Sequence, residues 1–161
     1  PPTFPATNAA HMVRCSMQQE SQITSIAAFD DGHAIISGNA LGSLFVWDMT
    51  QGCPNDPSMQ FGERSLGQVN SIVVVESTQL FASGHENGFV LLWSLADATL
   101  ARKPLKRYYH GQHVLAVAVN PQSTFLYSGG MDGRVGMWDL SVDDYSMFVS
   151  HGRPVTSLRF S

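Results

Sequence analysis

Three side chains of the kind that cleave esters and amides fall within 23 positions of this 161-residue chain: His110, Ser128 and Asp132. As a catalytic set, the serine would attack, the histidine would take its proton and the aspartate would orient the ring. That chemistry needs the serine on an exposed sharp turn beside an oxyanion pocket, typically a G-x-S-x-G elbow. Ser128 instead lies in the middle of a strand-like run, LYSGG. The set therefore reads as structural: the carboxylate accepts turn N–H groups and the imidazole, and the chain of bonds pins one unit of the fold. His11, His33 and His85 stand at unrelated positions and suggest no metal site. Cys15 and Cys53 form no CxxC pair. They read as two reduced thiols, with a bridge between them left open. No base, nucleophile or metal set emerges, so neither an enzyme, a cofactor nor a small-molecule substrate is expected.

Four of the nine basic residues cluster in ARKPLKRYY: Arg102, Lys103, Lys106 and Arg107. One reading is a contact to an acidic partner or to RNA phosphates, with Tyr108 and Tyr109 as stacking surfaces. The other is an outer strand whose charges and Pro104 discourage edge pairing, and this is the reading preferred. A net charge of −4 argues against a surface built around nucleic acid. With 43% hydrophobic and 14% charged residues, the chain should be ordered and globular. No apolar run approaches the roughly 20 residues that span a bilayer, so no membrane partner is expected. The start, PPTFPATNAAHMV, lacks an initiator Met and the charged-then-apolar order of a signal peptide. Residues 1–11 read as a flexible linker. Opening on Pro1 suggests a chain cut from something longer, and the expected location is intracellular, cytoplasmic or nuclear.

The elements that would hold these side chains come from a repeat. Trp47, Trp93 and Trp138 recur at intervals of 46 and 45 residues, each preceded at one fixed distance by a Ser-Gly pair at 37, 83 and 128. The units read ITSIAAFDDGHAIISGNALGSLFVWDM, VNSIVVVESTQLFASGHENGFVLLWSL and VLAVAVNPQSTFLYSGGMDGRVGMWDL, and a fourth opens with VTSLRFS at Val155. Each begins with an apolar, β-branched run suited to a buried strand. A turn, a second strand ending at the Ser-Gly pair and a tight turn at Gly42, Gly88 or Gly133 follow. A third strand then ends on the Trp. More polar fourth strands are predicted near 58–62, 105–109 and 145–150. Four antiparallel strands per unit of about 45 residues is a propeller blade, so the fold class is all-β.

These units closely resemble the WD-repeat (WD40) β-propeller family over roughly Met12 to Ser161. Trp47-Asp48 and Trp138-Asp139 close two units, and Trp93-Ser94 is a variant. The resemblance implies a network of His, Ser, Asp and Trp in each blade. The third unit has all four, in His110, Ser128, Asp132 and Trp138, with the Ser128 hydroxyl facing the Trp138 indole. The second keeps Ser83 and Trp93 but has Ser65 and Asn87 at the other places. The first keeps Ser37 and Trp47 with Gln19 and Leu41, and the fourth shows His151 alone. The first two blades are therefore expected to be less tightly locked. The implied layout is an outer strand of a preceding blade at 12–18, blades at 19–64, 65–109 and 110–150, and the start of a fourth at 151–161. Together they would be part of a larger, seven-bladed propeller. The excursion 50–67 reads as a surface loop.

The resemblance also implies a function, that of a non-catalytic scaffold in an intracellular multiprotein complex, with partner proteins or peptides held on the rim. Its usual contact positions correspond here to Gln22, Gln68, His113 and Pro154 with neighbouring Arg153, and to Ala40, Glu86 and Met131. The alternative is a component of a ribonucleoprotein machine touching RNA through the 102–107 cluster.

Overall fold

The computed structural model describes residues 16, 18–29, 32–62, 64–75, 78–96, 103–142, 144–148 and 152–160. The 1–11 linker, most of the 12–18 strand, Cys15, Arg102 and His151 lie outside these residues. Twelve strands form three four-stranded antiparallel sheets, each in simple sequential order. Blade one holds β1 (Ile23–Phe29), β2 (Ala34–Asn39), β3 (Ser43–Asp48) and β4 (Met59–Gly62). Blade two holds β5 (Val69–Val75), β6 (Leu80–His85), β7 (Phe89–Ser94) and β8 (Lys106–Tyr109). Blade three holds β9 (Val114–Val119), β10 (Phe125–Gly130), β11 (Val135–Asp139) and β12 (Tyr145–Phe148). The all-β propeller architecture expected from the repeat is what the chain adopts.

Second and third strands are joined by turns that need one residue at positive φ, supplied by Gly42 (φ 85°), Gly88 (φ 90°) and Gly133 (φ 80°). A left-handed residue after a tight turn lets the hairpin keep its twist. The residue after each Trp then fastens the exit from the third strand. Asp48 accepts from the Thr50 N–H at 2.9 Å, and Asp139 from the Ser141 N–H at 2.8 Å. These bonds and those from the Thr50 and Ser141 hydroxyls hold both carboxyls below their usual pKa. Ser94 does the same job with its hydroxyl, accepting from the Ala96 N–H at 3.2 Å.

The blades join by glycine. A Cβ on Gly38 would sit 2.5 Å from Val69 Cγ1, one on Gly84 2.5 Å from Val114 Cγ1, and one on Gly129 2.6 Å from Val155 Cγ1. The Gly of each Ser-Gly pair is thus the seat for the first valine of the next unit. Polar bonds reinforce two of the joints. Thr24 Oγ1 donates to Val69 O at 2.5 Å, and Asn70 Nδ2 to Val114 O at 2.8 Å. Apolar clusters fill the space between: Ile36, Leu44 and Phe61 of blade one against Val69, Phe81 and Trp93, then Ala82, Val90 and Tyr108 of blade two against Val114, Leu126 and Trp138. Burying one such side chain stabilises by about 1.5–3 kcal/mol.

Three features differ from the sequence reading or were not legible in it. Residues 155–160 carry no strand ladder, although Val155 is buried and donates its N–H to Gly130 O at 3.0 Å. A 3-10 turn at Arg64–Leu66 sends Leu66 into the core between blades one and two. Cys53 is disulfide-bonded, against the expectation of two reduced thiols. It stands on the exposed 50–58 excursion, which leaves its sulfur reachable by a second cysteine.

Candidate functional site: the rim at the start of each first strand

Each blade is locked by one buried serine, and each meets it differently. The indoles of Trp47, Trp93 and Trp138 donate to Ser37, Ser83 and Ser128 Oγ, all at 2.8 Å. In blade three the relay continues. Ser128 Oγ lies 2.7 Å from His110 Nδ1, and His110 Nε2 lies 3.3 Å from Asp132 Oδ1. Trp138 occupies one acceptor site on Ser128, so the neutral imidazole that accepts the Ser128 proton at Nδ1 must carry its own at Nε2, facing Asp132. Burial holds the His110 pKa below the usual imidazole value, and the Asp132 charge pulls the other way. Asp132 also accepts from the Arg134 N–H at 3.0 Å, which fixes the turn.

Blades one and two lack that histidine, yet their serines do not go without. Gln19 bonds Ser37. In blade two His85, two residues beyond Ser83 on the same strand, brings its Nε2 to 2.8 Å from Ser83 Oγ. Asn39, at the corresponding place in blade one, turns its carbonyl to the N–H groups of Leu41 and Ser43, both at 3.0 Å, and so holds the turn as Asp132 does. Asn39 and His85 are completely buried. Sequence reasoning missed both, and set His85 aside as an unrelated histidine. The signal was the residue after Ser-Gly, which is Gly130 where the upstream histidine exists and a polar side chain where it does not. No part of this constellation resembles a nucleophile site, because Ser128 is buried in its strand.

Above these locks, the positions implied for partner contact come together in pairs. Ala40 N–H donates to Gln22 O at 3.0 Å, Glu86 N–H to Gln68 O at 2.9 Å, and Met131 N–H to His113 O at 2.9 Å. Every pair sits where the first strand begins and the second ends. Because β1, β5 and β9 pack side by side, the three pairs lie at one end of the sheets. Gln22, Glu86, His113 and Met131 are exposed, while Ala40 and Gln68 are half-buried. Arg153 and Pro154 are exposed next to Val155, whose N–H binds Gly130 beside Met131.

Two of these side chains have local duties. Glu86 Oε2 accepts from the Gln68 N–H at 3.3 Å, and Gln68 Nε2 donates to Asn70 Oδ1 at 2.9 Å, linking the rim to the joint with blade three. The apolar exposure is at Met131 (53%) and at Leu41 (40%), the second in the turn place where Asp132 stands in blade three. Next to the His113–Met131 pair is a hollow of about 520 Å³ floored by His110 and Asp132, with Arg134 at its edge. Among the described residues no group of His, Cys, Asp and Glu could hold a metal ion, and no helix is long and apolar enough to cross a membrane.

The joints, the locked serines and the four-stranded blades define a WD-repeat β-propeller chain. The family described as WD40, "WD domain, G-beta repeat", matches residues 102–139, most of blade three. The chain belongs to that family. It is 26% identical over 129 residues to the methylosome protein WDR77 of Xenopus laevis, covering 76% of this chain and 38% of that protein. It is 30% identical over 113 residues to striatin-4 of Mus musculus, covering 58% of this chain and 15% of that protein. The solved WD40 repeats of RRP9 superpose with a TM-score of 0.74 at 20% identity, over 87% of this chain and 42% of that one. The chain thus spans well under two thirds of the curated relatives it matches.

Proposed function

We propose that the chain is a non-catalytic, protein-binding part of a scaffold in a multiprotein complex, holding its partner on the rim formed by Gln22, Gln68, Glu86, His113, Met131 and Arg153. The carrying observation is the pairing of these positions by backbone hydrogen bonds at one end of three sheets that glycine–valine joints hold together. A rigid base under an exposed edge lowers the ordering cost of binding. Met131 offers an adaptable apolar contact and Glu86 a charge that sets partner choice. The name of one relative, a methylosome protein, is that of a complex component, which fits this reading. A cytoplasmic or nuclear location belongs to the same proposal.

The test is purification of the full-length protein from its source with the polypeptides bound to it, alongside a variant carrying Glu86→Lys and Met131→Ala. Loss of one specific polypeptide from a folded variant supports the rim. A partner footprint confined to the outer strands overturns it.

A further inference from the structure

We propose that the groove between the outer edges of blades two and three is a second protein-binding site, one that takes an acidic peptide segment carrying an aromatic side chain. The groove encloses about 530 Å³, enough for one ring and its flanking backbone. Its aromatic side is a stack: Trp138 lies between Tyr108 at 5.0 Å and Tyr145 at 5.3 Å, both tilted by 26°. Tyr145 is 61% exposed and Leu105 48%, so an aromatic wall and an aliphatic lip face solvent. The joint between blades one and two is closed differently. There Phe61 holds the place of Tyr108 and packs edge-on against Trp93 at 5.7 Å.

Charge identifies the occupant. The chain carries a net −4, yet four of its nine basic residues fall within 102–107. Lys106 and Arg107 line the groove against a lone carboxylate, Asp144, and Lys103 is exposed just before it. Lys106 Nζ donates to Leu140 O at 3.3 Å, which anchors the ammonium on the blade-three side. A local cationic excess beside an aromatic wall, on an otherwise acidic chain, favours an acidic segment over a long polyanion, whose backbone needs a continuous basic track. This site is independent of the rim, so either can fail without the other.

The probe is a fluorescently labelled peptide, Asp-Glu-Phe-Glu-Asp, titrated into the full chain, with Asp-Glu-Ala-Glu-Asp and a short oligouridylate as comparators. Binding is expected for the first peptide, and the alanine peptide should bind about tenfold more weakly. Lys106→Glu with Arg107→Glu, or Tyr145→Ala alone, should each weaken it about tenfold. Gln60→Glu, which adds the same charge at the matching place on β4, should leave it unchanged. Circular dichroism of each variant checks the fold, and Tyr145→Ala touches only an exposed ring. Absence of peptide binding, binding that survives these changes, or tighter binding of oligouridylate overturns the proposal.

Discussion

The imidazole of His110 fills the space that a side chain at position 130 would need. A Cβ on Gly130 would come within 2.6 Å of Asp132 Oδ1 and closer still to His110 Nε2. In blade two the same place carries His85, which reaches Ser83 from its own strand, and position 65 is a serine. The upstream histidine and the glycine are thus two halves of one solution. Gly130→Ala is expected to cost about 1–3 kcal/mol by overpacking. Adding His110→Ser should cost less than the sum of the two single changes, because the clash goes with the ring. Strict additivity in urea melts of the four proteins would refute this coupling.

The same logic applies where blades meet. Gly84→Ala places a methyl 2.5 Å from Val114 Cγ1 across two packed strands, so about 1–3 kcal/mol of stability should be lost. Val114→Ala opens the room again, and the double variant should recover part of the loss in its melting temperature. No recovery would mean that the strand backbones, not the valine, set the spacing.

Much of this was legible in the chain. The Trp and Ser-Gly intervals determine blade number and strand order, because a propeller blade repeats its buried positions in register. What was not legible is how a blade compensates for a missing partner. A search for His, Ser, Asp and Trp at fixed places treats Gln19 and Asn87 as losses. It cannot see that Asn39 and His85, one residue past the glycine, point into the space freed by the absent ring. The rim pairs were readable only through the resemblance, since an exposed loop residue carries no periodic signal. Leu41 was passed over for a related reason: it was weighed against the aspartate it replaces and not as an exposed apolar contact. The expected weakness of blades one and two rested on the same count. Ser37→Ala and Ser83→Ala should each leave a buried indole N–H unpaired and cost about 1–3 kcal/mol, as should Ser128→Ala. Thermal unfolding in which the blade-three change alone is costly would restore the original expectation.

Acid should act through His110. Burial holds its pKa below the ordinary value of 6.5, so the folded chain binds this proton less readily than the unfolded one. The stability it contributes is therefore complete above the unfolded pKa and is lost as pH falls from there through the lower folded value. Between about pH 7 and pH 5 the melting temperature should drop more steeply for the native chain than for His110→Gln. Parallel curves for the two proteins would assign the acid response to other groups.

On the rim, Met131 and Glu86 should fail in different ways. Met131 is exposed, and its N–H is committed to His113 O through the backbone, which truncation of the side chain leaves intact. Met131→Ala is therefore expected to speed partner dissociation with no loss of stability, since most interface truncations act on the off-rate. Glu86 also accepts from the Gln68 N–H, so Glu86→Lys removes a loop contact along with a charge. It should slow association and weaken its salt dependence, as changes in rim charges do, and should also loosen the 67–68 loop. Glu86→Gln retains an acceptor for the Gln68 N–H and should restore the loop without restoring the on-rate. Surface-binding kinetics on the purified complex partner, paired with hydrogen exchange at Gln68, separate the two effects. An unchanged off-rate for Met131→Ala would remove this residue from the contact surface.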